Sequence, residues 1–237
     1  MPITPITDTE ASSRHANLGL PPLAYRALRS LCHGVNRAYW RVTVDGASVI
    51  PATGPVILAP VHRSNIDFLV ASEVTRRKLF YMAKDSLWKS PRFGAFLESI
   101  GAFPVHREGA DRLALDRSQD VLERGDALIL FPEGTRRSGP VVEELHEGAA
   151  FLAARTGAPI VPIGIGGSAE AMPKGSKMIR PVKIHLVVGQ PLAAPARSAR
   201  GRVPRTQVHV LTEQLRAELQ TLYDEAQRRV GKLTSPR

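Results

Sequence analysis

A histidine and an aspartate stand five positions apart in Val61-His62-Arg63-Ser64-Asn65-Ile66-Asp67. An imidazole can take a proton from a hydroxyl once its tautomer is fixed, and a carboxylate on the other ring nitrogen fixes it. If Asp67 opens a helix, its side chain can fold back toward His62. A second group, Phe131-Pro132-Glu133-Gly134-Thr135-Arg136, puts a carboxylate, a hydroxyl and a guanidinium on one turn. Arginine binds phosphate through a planar, permanently charged fork, and Gly134 lets the backbone approach a ligand closely. Arg107 adds a further cation. A base beside a phosphate clamp implies a phosphorylated alcohol as substrate. His-x4-Asp alone is common by chance, and its bland alternative is a strand-end histidine followed by a helix-capping aspartate.

These residues need elements that bring them together. Pro55-Val56-Ile57-Leu58-Ala59-Pro60 is a proline-bounded apolar run, read as a buried strand that ends just before His62. Leu79 to Lys84 is a second strand with Lys84 at its end, and Gly101 to Arg107 a third that ends in a cation. Asp126 to Phe131 is the clearest buried strand and runs straight into Glu133. Pro159 to Ile165 and Val182 to Val188 are two more, and Arg41 to Gly46 a short one. Helical segments alternate with them: a short one after His62, one or two around Pro91, Ala110 to Arg124, and Glu147 to Thr156 closed by Gly157. The pattern predicts an α/β fold with a mixed, largely parallel sheet flanked by helices. In open α/β sheets, ligands bind outside the carboxyl ends of the strands, where His62, Arg107 and Glu133 are expected.

The two ends are amphipathic. Residues 1 to 20 are polar and read as a flexible arm. From Leu23 to Trp40, Leu23, Ala27, Leu28, Leu31, Val35 and Tyr39 recur at helical spacing among Arg26, Arg29 and Arg37. This N-terminal amphipathic helix is either a surface helix packed on the domain or one lying in a membrane interface. Residues 1–40 thus form an arm plus helix, and 41–237 the α/β domain with a closing helix whose stripe is Val208, Leu211, Leu215, Leu219, Leu222 and Ala226. Cys32 is read as packing. Gly164-Ile165-Gly166-Gly167 is read as a turn. His15, His33, His106, His185 and His209 are read as surface or core residues without a carboxylate at useful spacing.

The chain has 237 residues, enough for one sizeable core, and 43% hydrophobic content, ordinary for a globular protein. Its net charge of +10 calls for a polyanionic partner: nucleic acid, an anionic membrane or a phosphorylated substrate. Aromatics are only 5%, a poor supply for stacking single-stranded nucleic acid. A basic nucleic-acid-binding module explains the charge and leaves the strand-end His62, Arg107 and Glu133 unexplained. The single cysteine excludes an internal disulfide and a cysteine zinc cluster. No signal-peptide pattern opens the sequence, and no apolar run approaches the ~20 residues of a spanning helix. Any membrane contact is expected to be peripheral.

Four ordered blocks make the chain resemble the 1-acylglycerol-3-phosphate acyltransferases of the glycerolipid acyltransferase superfamily. They are His62 to Asp67, Gly101 to Arg107, Phe131 to Arg136, and Val161-Pro162-Ile163, within a resemblance over roughly residues 41 to 190. The resemblance implies transfer of a fatty acyl group from acyl-CoA or acyl carrier protein to the free hydroxyl of lysophosphatidic acid, giving phosphatidic acid. His62 would be the general base and Asp67 its orienter. Arg107 and Arg136, with Lys84 as a further candidate, would hold the phosphate, and Glu133, Gly134 and Thr135 would shape that site. It further implies no metal, no cofactor beyond the acyl donor as co-substrate, no covalent acyl-enzyme, no nucleic-acid partner, and a cytoplasmic, peripherally membrane-associated protein. The same chemistry on glycerol 3-phosphate, a lysophospholipid or a lyso-aminolipid stays open. Two positions depart from the family pattern: Val61, where asparagine is frequent, and His146, where lysine is common.

Overall fold

A computed structural model describes residues 22–105, 112–176, 178–196 and 203–232. Helix α1 (Pro22–Ala38) leads into β1 (Thr43–Asp45), β2 (Val56–Pro60), the short α2 (Asp67–Ala71), β3 (Leu79–Lys84), α3 (Pro91–Ser99) and β4 (Ala102–Val105). Then follow α4 (Arg112–Glu123), β5 (Ala127–Ile129), α5 (Gly148–Thr156), β6 (Ile160–Gly166), α6 (Ser168–Ala171), β7 (His185–Val188) and α7 (Arg205–Arg229). The strands form one sheet in the order β1-β7-β6-β2-β5-β3-β4. β2 pairs in parallel with β5 and β6, and β3 in parallel with β5 and β4. Only β7 runs against its neighbour β6, and β1 is parallel to β7. This is the mixed, largely parallel sheet expected.

The apolar runs became the interior. All five residues of β2, all three of β5 and all seven of β6 are buried, as a strand covered on both faces requires. β2 sits mid-sheet, so the chain leaving it emerges at the centre of the carboxyl edge. The register Leu58↔Ile129 puts the residues after Pro60 beside those after Leu130. α5 ends at Gly157, whose φ of 76° makes the left-handed stop expected of that glycine.

Gly164 and Gly166 correct the expectation of a turn. They lie within β6, and a Cβ on either would stand 2.2 Å from a backbone oxygen of α7, that of Leu222 or of Ala226. The missing side chains let α7 lie against the strand. Gly167, with φ 87°, makes the bend into α6, a helix that the sequence had not suggested. α7 buries Val208, Leu211, Leu215, Leu219 and Ala226 as expected, but Tyr223 is buried where Leu222 was placed.

Helix α1 docks by its polar side. Arg29 donates to the carbonyls of Ser72 (3.1 Å), Arg77 (3.2 Å) and Thr75. Asn36 donates to Glu73 (2.7 Å) and to the Leu69 carbonyl (3.2 Å), and His33 meets Glu73 at 2.5 Å. The apolar stripe faces outward, with Leu23 79% and Leu31 65% exposed. Among the described residues, no helix is long and apolar enough to cross a membrane.

Candidate active site

The carboxyl edge gathers the chemistry. His62 follows β2, and Asp67 opens α2, one turn away. Asp67 is fully buried, and its Oδ2 accepts from the backbone amides of Arg63 (2.6 Å) and Ser64 (2.7 Å) and meets His62 Nδ1 at 3.0 Å. Two amides aimed at one oxygen satisfy and orient the buried carboxylate. A carboxylate can only accept, so His62 carries its proton on Nδ1 and leaves Nε2 with a free lone pair. The ring stacks on Phe131, with centroids 4.2 Å apart, and its side chain is 12% exposed. His62 is therefore fixed by a carboxylate on one edge and a phenyl face on its flank. Nε2 makes no hydrogen bond among the described residues.

Glu133 is fully buried and binds the His62 loop from the neighbouring strand end. Its Oε1 accepts from the His62 backbone amide (2.7 Å), and its Oε2 accepts from Arg63 Nη1. With both oxygens engaged, Glu133 shapes the site from behind. The turn after it is tied to the same loop, because the Arg137 amide donates to the His62 carbonyl at 2.9 Å. Gly134 has φ 65°, and a Cβ there would stand 2.5 Å from the His146 ring, so only glycine suits the position. His146 is exposed and donates its amide to the Pro132 carbonyl. Thr135 is exposed on the same turn.

The arginines divide into occupied and available. Arg63 is used by Glu133, and Arg137 pairs with Glu143 at 3.0 Å. Arg136 is half-buried and has no hydrogen bond or ion pair among the described residues. Lys84 is exposed at the end of β3, the strand on the far side of β5. Arg107 lies outside the described residues; β4, which ends at Val105, runs to this same edge. No group of three or more His, Cys, Asp or Glu side chains among the described residues is placed to hold a metal ion.

Several partners were not visible in the sequence. Arg63, whose place in the His62–Asp67 motif assigns it no partner, is 2% exposed and reaches Glu133 and the Val141 carbonyl. Phe131 lies beyond the end of β5 and serves as the stacking face for His62. Three of the other histidines, which have no carboxylate at useful spacing in the sequence, meet one across the fold. His185 meets Asp45 at 3.2 Å and the Thr43 hydroxyl at 2.6 Å, His33 meets Glu73, and His209 meets Glu147 at 3.5 Å. Each carboxylate comes from a distant segment that sequence spacing does not disclose. His15 and His106 lie outside the described residues.

A family model described as Acyltransferase matches residues 41–166, more than half of the chain. The 1-acyl-sn-glycerol-3-phosphate acyltransferase of Bacillus subtilis is 31% identical over 152 residues, 64% of this chain and 73% of that protein. The chloroplastic 1-acyl-sn-glycerol-3-phosphate acyltransferase LPAT1 of Arabidopsis thaliana is 24% identical over 158 residues, 65% of this chain but only 44% of the plant protein. The crystal structure of the 1-acyl-sn-glycerophosphate acyltransferase PlsC from Thermotoga maritima superposes with a TM-score of 0.65 at 23% identity, covering 87% of this chain and 85% of that one. At that identity the likeness speaks for the fold.

Proposed function

The chain belongs to the acyltransferase family, and from that premise we propose that it moves a fatty acyl group from a thioester donor to the free hydroxyl of 1-acylglycerol 3-phosphate, giving phosphatidic acid for phospholipid synthesis. The observation that carries the reading is the 3.0 Å contact of His62 with a buried Asp67 at the strand edge, with Arg136 on the adjoining turn without a hydrogen bond or ion pair among the described residues. The relatives' names supply the acceptor, and the planar, permanently charged Arg136 guanidinium suits its phosphate.

The reaction needs only these groups. His62 Nε2 takes the acceptor hydroxyl proton as the oxygen attacks the thioester carbonyl carbon. The new C–O bond forms, the tetrahedral intermediate collapses, the C–S bond breaks, and the leaving thiolate takes the proton from Nε2. Asp67 holds the ring in the useful tautomer and balances the imidazolium charge. Positioned base catalysis of this kind contributes about 10²–10⁴-fold, and holding acceptor and donor together contributes more. Arg136, with Arg107 and Lys84, holds the phosphate, while Gly134 and Thr135 line the turn that receives it. The donor, acyl-CoA or acyl carrier protein, is a co-substrate, and no further cofactor enters.

The exposed stripe of α1 supports a peripheral seat for this chemistry at the cytoplasmic face of a membrane. Its outward stripe of Leu23, Leu31 and Val35 is flanked by the exposed Arg26 and Arg37, the arrangement of a helix seated at an anionic headgroup layer. Leu31→Glu should weaken sedimentation with phosphatidylglycerol vesicles; undiminished binding would move the contact elsewhere.

The test of the reaction is an acceptor panel with labelled acyl-CoA and labelled acyl carrier protein. 1-Acylglycerol 3-phosphate should be acylated faster than glycerol 3-phosphate, a lysophospholipid without a phosphate monoester, or a lyso-aminolipid. Preference for an acceptor without the monoester would overturn the assignment.

A further inference from the structure

We infer that Tyr223, on the C-terminal helix α7, is a positioning residue of this reaction, acting on His62 through the buried pair Arg63–Glu133. The inference rests on the acyl-transfer reading for its kinetic readout. α7 lies wholly outside the segment 41–166 that matches the family model.

Arg63 is a full charge at 2% exposure with few ways of being satisfied. Nη1 binds Glu133 Oε2, Nη2 donates to the Val141 carbonyl at 3.1 Å, and Nε has no partner among the described residues. What covers the guanidinium is the Tyr223 ring, with its centroid 4.9 Å from Cζ. An aromatic face attracts a cation and excludes water while leaving the in-plane donors free for Glu133 and Val141. Burial pushes the Tyr223 phenol up from its ordinary value, against the downward pull of Arg63, so the ring stays neutral beside the cation.

The same helix holds the other side of Arg63. The Val142 amide donates to Gln220 Oε1 at 2.7 Å, and Gln220 Nε2 donates to the Pro140 carbonyl at 3.0 Å. The Tyr223 hydroxyl reaches the Gly139 carbonyl at 3.4 Å and accepts from Gln227 at 3.0 Å. α7 therefore fixes both the ring over Arg63 and the loop whose carbonyl Arg63 uses. From Arg63 the chain of contacts is short: Glu133 Oε2, then Glu133 Oε1 to the His62 amide at 2.7 Å. If the ring is removed, water enters beside a buried cation, and Glu133 loses the partner that fixes its second oxygen. A reacting group displaced by about 1 Å can lose about 10²-fold in rate.

The experiment compares Tyr223→Leu, Tyr223→Phe, Arg63→Met and the double variant Arg63→Met/Tyr223→Leu in the full chain. Thermal melts confirm that each folds, with Tyr223→Met replacing a Leu variant that does not. Tyr223→Leu should lower kcat by about 10- to 100-fold while the acceptor KM stays nearly constant. Tyr223→Phe, which keeps the ring, should restore most of that loss. With Arg63→Met already present, Tyr223→Leu should cost nothing further, since both changes break one chain of contacts. The NMR chemical shift of the His62 ring Cε1–H should move in Tyr223→Leu and return in Tyr223→Phe. An undiminished kcat in Tyr223→Leu, or an equal loss with and without Arg63, would overturn the inference. A wild-type chain that transfers no acyl group would instead count against the reaction; an unmoved His62 signal in Tyr223→Leu would then overturn the positioning role by itself.

Discussion

Asp67→Asn is the substitution whose consequences can be worked furthest. The carboxylate is fully buried, and one oxygen serves three groups: His62 Nδ1 at 3.0 Å, the Arg63 amide at 2.6 Å and the Ser64 amide at 2.7 Å. The other oxygen, Oδ1, is buried and has no partner among the described residues. An asparagine must turn its carbonyl toward the three donors, because its NH2 cannot accept. The NH2 then occupies the Oδ1 position, where two donors find no acceptor, at a cost of about 1–3 kcal/mol. Three hydrogen bonds to a charged acceptor also become bonds to a neutral one, each weaker by roughly half. Together the loss of unfolding free energy should be about 2–4 kcal/mol, since such terms are not additive. Activity should fall much further than stability. Without the charge, the imidazolium formed in the transition state loses its counter-ion, and the ring is free to present its other tautomer. In Ser-His-Asp triads the same exchange costs about 10⁴ in kcat with the geometry intact, and a loss of about 10³ is expected here, within the range of base catalysis. Denaturant melts read the first quantity, and single-turnover transfer of labelled acyl groups to 1-acylglycerol 3-phosphate reads the second. A folded Asp67→Asn protein with undiminished turnover would refute the role of the His62–Asp67 contact.

Other substitutions separate binding, support and pH response. Arg136→Ala should raise the KM for a phosphorylated acceptor about 10- to 100-fold, the worth of one or two charge-assisted hydrogen bonds at ~1.5–3 kcal/mol, with kcat little changed; an unmoved KM would remove Arg136 from the phosphate site. Glu133→Gln breaks a buried ion pair and strands the Arg63 charge, so chemical denaturation should show a loss of about 3–5 kcal/mol, and wild-type stability would contradict the buried pair. His185 is 5% exposed, and burial lowers its basicity below the ordinary value of 6.5 more than Asp45 raises it. Between its lowered value and 6.5 the unfolded chain binds more protons than the folded one, so stability rises with pH and is lost as pH falls through that window. His185→Gln should flatten this acid limb in melts recorded as a function of pH; an identical slope in the variant would exclude His185 as its source.

What could be read in the sequence was local. Short apolar runs such as Val56–Pro60 and the first half of β6, Ile160 to Ile163, are buried on both faces, so composition alone marks them as interior strands, whereas the glycines that complete β6 read as a turn. His62 and Asp67 can meet because one turn separates them, and backbone geometry alone brings them within reach. Distant partners carry no such signal. Arg63 and Tyr223 stand far apart in the chain, and the passage of α7 over β6, allowed by Gly164 and Gly166, brings them together. His185 and Asp45 meet because β7 pairs with β1. The orientation of α1 was equally hidden. Helical spacing reveals that a helix is two-faced but not which face docks. Here the surface beside α2 offers carbonyls and Glu73, which select Arg29, His33 and Asn36 over Leu23 and Leu31.

The most direct test of the account is a single-turnover comparison of the wild-type chain with His62→Ala, using labelled acyl-CoA and 1-acylglycerol 3-phosphate. The wild type should pass the label straight to the acceptor with none retained on protein, and His62→Ala, with its fold preserved, should be slower by about 10²–10⁴. Comparable rates in the two proteins, or label bound covalently to the wild-type chain before it reaches the acceptor, would contradict a base acting directly on the bound hydroxyl.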